Sequence, residues 1–201
     1  GIAWERHVGR THEALRWLES VVNRYREPHR HHHDVRHLRW VVRHVEELGA
    51  SATDLGAVVV AAFFHDAVYE PTAGDNEVAS ARLAATALTE LDWDPARIDA
   101  VGAMIMATDR HDLGDATADA TVLFAADLAV LAADPAGYSD YVRNVRREYH
   151  HVTDADWVTG RSAVLRSFLE RHRIYAVDLD LDTWEQRARG NITSELDTLT
   201  T

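Results

Sequence analysis

Apolar residues recur along this chain at three- and four-residue intervals, as on one face of an α-helix, and strand-like alternation is nearly absent. Residues 12–26 form the first predicted helix, which Pro28 ends, with an apolar stripe of Leu15, Leu18, Val22 and Tyr25. The second runs from about Asp34 to Leu48 and turns Val35, Leu38, Val41, Val42 and Val45 inward. Seven more are predicted over about 51–69, 76–91, 95–109, 117–133, 135–152, 153–173 and 181–199.

The linkers between these segments are short, and no segment repeats at a fixed period. We therefore expect a single all-α domain of about eight or nine helices over residues 1–201. Its core is expected over about residues 12–175, with the last helix, about residues 181–199, packing on that core.

Composition removes several kinds of chemistry. The 201 residues include no cysteine, which excludes thiol nucleophiles, disulfides and Cys-type zinc sites. All 21 basic residues are arginine, so Schiff-base lysines and the Walker P-loop are excluded as well. What remains is the chemistry of imidazole and carboxylate groups, supplied by 13 histidines and 33 acidic residues.

Charge and hydropathy also limit the kinds of partner that are expected. The net charge of −12 argues against nucleic acid and against an anionic membrane surface. The longest apolar run, residues 57–64, is far shorter than a membrane span, and charged residues among the first ten are unlike a signal peptide. We expect a cytoplasmic protein without a membrane partner, and a homodimer is the one protein partner left open.

Three segments place histidine or aspartate where a metal could bind. Asp127 interrupts the apolar run TVLFAADLAVLAA, where an ionised carboxylate is costly unless it is paired or bound to a cation. His65 and Asp66 end the apolar segment AAFFHDAVYEP, although a lone His-Asp pair is more often a helix cap. His37 begins an inward-facing helix after a His-rich turn, in which His29 and His31 are expected to be solvated; a surface role is expected for His44.

Taken together, the order His37, His65-Asp66 and Asp127 resembles the H…HD…D signature of the HD superfamily of metal-dependent phosphohydrolases, which fold as all-α bundles. The segments YREPHRHHHDVRHL, FFHDAVYEP with DNE, ATDRH, ADLAVL, VRREY, GRSAVLRSFLERHRIY and ARGNI resemble a bacterial family of such proteins of about 200 residues. The similarity covers the chain from about Trp17 to Leu199. One departure is His32, which stands where that family has tyrosine.

A second resemblance concerns the segment HDAVYEPT, which is similar to the His-Asp motif of the hydrolases that remove pyrophosphate from guanosine tetraphosphate. Two acids follow the motif in those enzymes and handle the attacking water. Tyr69 replaces the first acid here and Glu70 the second, which disfavours guanosine tetraphosphate and keeps Glu70 as an acid or base.

These resemblances imply an enzyme that cleaves a phosphoester or pyrophosphate bond of a nucleotide or similar small phosphorylated metabolite through a metal-bound water. One divalent ion (Mn, Fe, Co, Ni, Zn or Mg) would be bound by His37, His65, Asp66 and Asp127. Proton transfer would fall to Glu70, or to Glu77, with Asp66 also in the catalytic set. Substrate contacts would come from Arg30, His33, His111, Arg146 and Arg161.

Two alternatives stay open. Some HD-fold proteins hold two irons and use O₂, but they need additional histidines between the HD pair and the last aspartate, and only His111 lies there. A non-catalytic protein that binds a metal or ligand on the same fold is the other alternative.

Overall fold

The chain is helical throughout its regular structure in the computed structural model, which describes residues 1–177 and 179–199. That part of the chain contains ten α-helices, two short 3-10 segments and no strand, which confirms the all-α prediction. The helices are α1 Ile2–His7, α2 His12–Arg24, α3 Val35–Glu47, α4 Leu55–Phe64, α5 Asn76–Glu90, α6 Pro95–Ala107, α7 Ala118–Asp127, α8 Pro135–Glu148, α9 Asp154–Glu170 and α10 Asp182–Leu199; the 3-10 segments are Gly49–Ser51 and Leu128–Ala132.

Helix α4 lies at the centre of the fold because it is apolar on every side. All its residues from Ala57 to Phe64 are buried, and it contacts α1, α3, α5, α6 and α7. The carboxylate of Asp54 begins the helix by accepting a hydrogen bond from the Ala57 amide at 3.0 Å. The end of this central helix carries the His65-Asp66 pair.

Helices α3 and α7 pack on α4 and on each other, so the three helices that carry the predicted metal ligands meet in pairs. The inward stripe predicted for α3 is confirmed by the burial of Leu38, Val41, Val42 and Val45, while Val35 is partly buried. In α2 the prediction was wrong for Leu15, which is exposed, because Ala14 and Val21 make the buried face.

Several helix ends differ from their predicted positions. Helix α1 is six residues long, too short for a periodic pattern to predict. Helix α4 ends at Phe64 instead of near Tyr69, so His65 and Asp66 lie in the turn that follows it. The segment predicted as one helix over 117–133 tightens after Asp127 into the 3-10 segment Leu128–Ala132.

Helix α10 packs against the Leu128–Ala132 segment and against α9. The hydroxyl of the buried Tyr175 donates to the carbonyl oxygen of Leu128 at 3.0 Å, which ties the chain before α10 to the same segment. The C-terminal part of the chain therefore supports the end of α7, where Asp127 lies.

The surface role predicted for His44 is wrong. Its ring is buried between Trp40 and Trp184, with ring centroids at 4.6 and 5.2 Å, and burial lowers its pKa. Within the described residues, no single helix has both the length and the apolar character needed to cross a membrane.

Candidate metal centre

Two imidazoles and one carboxylate converge where α3, α4 and α7 meet. His37 lies in the first turn of α3, His65 directly follows α4, and Asp127 is the last residue of α7. The Nε2 atoms of the two histidines are 3.1 Å apart, and Asp127 Oδ1 lies 3.1 Å from His37 Nε2 and 3.5 Å from His65 Nε2. These three residues form a group that can hold a metal ion.

Asp66 adds a second carboxylate to this cluster. Its Oδ2 lies 3.1 Å from His65 Nε2 and 3.4 Å from His37 Nε2. The predicted ligand set therefore lies together, although it comes from three separate segments of the chain: His37, His65 and Asp127 form the mutually close group, and Asp66 lies beside the two imidazoles. We call His37, His65, Asp66 and Asp127 the metal cluster.

The spacing and ring orientation fit one divalent ion. Two atoms that bind an ion at about 2.1 Å lie about 3.0 Å apart at a right angle and about 3.4 Å apart at a tetrahedral angle. The separations of 3.1–3.5 Å among the ligand atoms of His37, His65 and Asp127 have that size. His65 Nδ1 lies 2.9 Å from the Ala62 carbonyl oxygen. Because a carbonyl oxygen can only accept a hydrogen bond, Nδ1 carries the proton and Nε2 is the nitrogen left for a metal.

The electrostatics of the cluster are those of a cation site. Burial opposes the charge on His37, but the hydrogen bonds that its ring donates to the carboxylates of Asp127 and Asp66 raise its pKa to about 9. Burial also opposes charge on Asp127, yet His65 and the hydrogen bonds from His111 and His37 hold the pKa of this carboxyl well below its usual range. The Asp127 carboxylate is thus kept ionised, as a ligand of a divalent cation must be.

His111 holds the other oxygen of Asp127. Its Nε2 lies 2.8 Å from Asp127 Oδ2, so Oδ1 is the oxygen that faces the two histidines. The His111 backbone is in the left-handed region, with φ of 47°, a conformation that costs energy for a residue with a side chain. Arg171 braces this strained turn by donating to the carbonyl oxygens of His111 and Arg110 at 2.8 and 2.9 Å.

Glu148 organises the His-rich turn beside the cluster. Its buried Oε1 accepts hydrogen bonds from three consecutive backbone amides, those of His31, His32 and His33, at 2.6, 2.7 and 3.0 Å. Its Oε2 lies 2.7 Å from His33 Nδ1 and accepts a bond from the Tyr69 hydroxyl at 3.0 Å. Burial works against ionisation, but His33 and the backbone amides hold the pKa of Glu148 far below its usual value.

His32, the residue that departs from the family pattern, packs among aromatic rings at the same place. Its ring centroid lies 4.8 Å from those of His33, His37 and Tyr141. Burial and the neighbouring histidines lower its pKa well below the ordinary value, so the ring is neutral. It therefore contributes packing without adding positive charge.

A cleft of about 550 Å³ opens on one edge of the metal cluster. Asp127, His111, His33 and His32 belong to its lining, so a molecule in the cleft can contact Asp127 of the cluster. The remaining lining residues come mainly from the segment after α7 and from α8 and α9 and are Asp109, Leu128, Val130, Leu131, Tyr141, Val145, Tyr149, Val152, Asp156, Trp157, Gly160, Arg161, Val164 and Phe168.

Arg30, predicted to contact substrate, has a fully buried side chain that joins two loops. Its guanidinium donates to the carbonyl oxygens of Asp66 at 2.6 Å, Ala67 at 3.2 Å and His33 at 3.2 Å, and to Glu27 Oε2 at 3.0 Å. The structure thus gives Arg30 a positioning role, in which it fixes the turn that carries His65 and Asp66.

Arg146 and Arg161 are also engaged within the protein. Arg146 caps the end of α8 by donating to the carbonyl oxygens of Tyr149 and Val152 and to Asp154. Arg161 lines the cleft, but it forms a two-bond pair with Glu195 at 2.7 and 3.0 Å and a third bond with Tyr141. His33 and His111 are the predicted substrate contacts that lie both at the cluster and in the cleft.

The predicted proton-transfer acids lie away from this cleft. Glu70 is exposed in the loop before α5, where its Oε1 accepts hydrogen bonds from the amide and hydroxyl of Thr72, which lower its pKa. Glu77 is half-buried in the first turn of α5, where an acidic side chain favours the helix whatever its chemistry. Neither carboxylate belongs to the cleft lining, whereas Asp66 lies in the cluster itself.

Sequence reasoning missed the roles of both Glu148 and Arg171. Both act through backbone groups, Glu148 as an acceptor and Arg171 as a donor. The one available signal was the glutamate of VRREY, an acid in an otherwise basic helix end, where negative charge is unfavourable. A buried partner elsewhere is a reason for an acid to stand there.

Comparisons of the chain with protein-family models, with curated proteins and with solved structures found no match. The HD-superfamily resemblance therefore stays a prediction that rests on the motifs.

Proposed function

We propose that this protein is a metal-dependent phosphohydrolase that transfers the phosphoryl group of a small phosphorylated molecule to water. The observation that carries the proposal is the convergence of His37, His65 and Asp127, with Asp66 beside them, next to a cleft that Asp127 lines. The mixed imidazole and carboxylate set suits Mn²⁺, Fe²⁺, Co²⁺ or Zn²⁺. A divalent ion bound here would acidify a water molecule and offset the negative charge of a phosphoryl group.

His33 is our candidate for the proton-transfer residue in place of Glu70. Its ring lines the cleft, and its Nδ1 is held by the buried carboxylate of Glu148 at 2.7 Å. A proton kept on Nδ1 leaves Nε2 free to accept a proton from water or, when protonated, to give one to the leaving oxygen. His111 holds Asp127 Oδ2 and thereby orients the carboxylate at the same edge of the cluster.

The proposed reaction balances without a further reactant. The water oxygen forms a bond to phosphorus, and the bond between phosphorus and the ester oxygen breaks with its electron pair remaining on that oxygen. The proton removed from water ends on the leaving oxygen, so the products are inorganic phosphate and an alcohol. Neither oxidant nor reductant is needed, which separates this proposal from the di-iron alternative.

The test uses the full chain loaded with Mn²⁺ and two matched variants. Asp127→Asn removes a cluster carboxylate, while Asp109→Asn makes the same change at an exposed cleft residue outside the cluster. We expect about one ion per chain for the parent and the control by elemental analysis and titration calorimetry. Asp127→Asn is expected to weaken metal binding more than about 100-fold, since loss of even an outer partner costs 10–100-fold.

Activity is measured in the same samples as phosphate release from nucleoside mono-, di- and triphosphates, guanosine tetraphosphate and simple phosphomonoesters. We expect turnover by the parent that the Asp127→Asn variant loses, with thermal melts confirming that both variants are folded. Release that survives this substitution would contradict the proposal. Metal binding without release from any substrate would favour the non-catalytic alternative, and two irons with O₂ consumption would favour the oxygenase.

A further inference from the structure

The cleft beside the metal cluster is lined mainly by apolar and aromatic side chains. Val145, Tyr149 and Trp157 line it from α8 and the start of α9, and Val164 and Phe168 line it further along α9. Val164 is 48% exposed, which leaves apolar surface in the cleft lining open to solvent. Covering such a surface with an apolar group of a ligand lowers the free energy of the complex.

Cations that would accept additional phosphates are engaged elsewhere. Arg161 is the one arginine among the described lining residues, and three of its five N–H groups donate to Glu195 and Tyr141, with Glu195 balancing its charge. Two carboxylates, Asp109 and Asp156, line the same cleft. A chain of phosphates extending from the metal cluster would therefore meet negative charge without a compensating arginine.

A neighbouring depression carries more arginines, but these too have partners. Arg171 donates to two backbone carbonyls, and Arg173 is paired with Asp182. Arg110 is the most exposed of them and lies 3.5 Å from the carboxylate of Asp109. This second surface thus adds no unpaired row of guanidinium groups among the described residues that line it.

We infer that the preferred ligand of this cleft is a phosphomonoester with a single phosphoryl group at the metal cluster and an apolar or aromatic body along the cleft. The inference rests on the proposed function and narrows it, because it favours monoesters over nucleoside di- and triphosphates and over guanosine tetraphosphate. A volume of about 550 Å³ is within the usual range of small-molecule sites.

The first experiment measures binding without turnover, using two phosphonates that cannot be hydrolysed. 3-Phenylpropylphosphonate ends in a phenyl ring, and 3-phosphonopropionate ends in a carboxylate, while both present one phosphonate to the metal. Titration calorimetry on the Mn²⁺-loaded protein is expected to show a dissociation constant at least about tenfold lower for the phenyl compound. Equal binding, tighter binding of the carboxylate compound, or no binding of either would overturn the inference.

Two variants on α9 test where the body binds. Val164→Asp places a charge in the cleft, and Ala163→Asp places the same charge on the adjacent exposed residue, which is outside the lining. We expect Val164→Asp to raise the dissociation constant of 3-phenylpropylphosphonate about tenfold, while Ala163→Asp changes that constant less than about twofold. Equal effects of the two substitutions would mean that the body lies elsewhere.

Turnover separates this inference from the proposed function. The matched esters are 3-phenylpropyl phosphate and 3-phosphooxypropionate, which both leave as primary alcohols, and the parent is expected to favour the phenyl ester at least about tenfold in kcat/KM. Phosphate release without preferential binding of the phenyl phosphonate would overturn the inference but would agree with the proposed hydrolase function. Selective binding without release from either ester would overturn the hydrolase and retain apolar recognition.

Discussion

Replacing Glu148 by glutamine tests the network that shapes the site. The three backbone amides of His31, His32 and His33 donate to a charged oxygen at 2.6–3.0 Å, and glutamine offers them a neutral one. Hydrogen bonds to charged groups contribute about 1.5–3 kcal/mol and neutral ones about 0.5–1.5 kcal/mol, so each bond loses about 1 kcal/mol. We expect Glu148→Gln to lower the free energy of unfolding by about 3 kcal/mol, measured by urea denaturation at about pH 7.

The same substitution should reverse the tautomer of His33. The new amide NH₂ lies where Oε2 was, beside His33 Nδ1 and the Tyr69 hydroxyl, and it can only donate. His33 Nδ1 then becomes an acceptor and its proton moves to Nε2, which ¹⁵N NMR of the ring nitrogens detects. Activity should fall about 10²–10⁴-fold if His33 carries the proton.

Acid sensitivity follows from the same carboxylate. Because the folded-state pKa of Glu148 lies below its ordinary value of 4.5, its stabilising contribution is present above about pH 4.5 and is lost as the pH falls below that value. The parent should therefore lose more stability between about pH 6 and pH 3 than the variant does. The control is Glu47→Gln, which alters a half-exposed ion pair with Arg43 and should cost less than about 0.5 kcal/mol. A cost under about 1 kcal/mol for Glu148→Gln, with an unchanged tautomer, would refute this account.

Three further changes test other parts of the structure. Arg161→Met leaves the buried Glu195 without its cation and should cost about 3–5 kcal/mol in urea denaturation, most of which the added Glu195→Leu change should restore. Tyr175→Phe removes the hydrogen bond to the Leu128 carbonyl oxygen and should cost about 1 kcal/mol by the same assay; a cost near zero would contradict the bond. His111→Ala and His111→Gly should both weaken metal binding about 10–100-fold by calorimetry, with the glycine variant about 1 kcal/mol more stable because φ is 47°. Equal stability of these two variants would argue against backbone strain at this position.

The sequence predicted those parts of the fold and site that depend on local pattern. The stripe of α3 and the apolar run of α4 fix which helices are buried, and burial of these helices brings His37 and His65 to one place. An aspartate in an apolar run is costly without a partner, and Asp127 is indeed paired, with three histidines. These signals come from residue type and spacing alone.

What the sequence could not predict depends on partners far along the chain. Helix α4 ends at Phe64. Arg30 donates to the carbonyl oxygens of Asp66 and Ala67 in the turn that follows, and these two residues lie 36 and 37 positions after it in the sequence. A helical pattern that runs on past Phe64 carries no trace of such a long-range contact. The presence of an arginine in the sequence was an equally poor guide to phosphate binding, because a guanidinium donates hydrogen bonds to backbone carbonyl oxygens as well as to phosphates.

The arrangement of Arg30 and Glu148 suggests why these two residues lie beside a cluster of ligands. Both join the His-rich turn to another segment: Arg30 links the carbonyl of His33 to the His65-Asp66 turn, and Glu148 links three amides of the turn to α8. A cluster built from α3, α4 and α7 would lose its spacing if the turn before α3 moved. Because each buried charge has its donors or acceptors satisfied by backbone groups, the two residues hold the turn at little electrostatic cost. Replacing either should therefore weaken Mn²⁺ binding in titration calorimetry more than replacing any exposed arginine or glutamate does, although neither residue belongs to the metal cluster.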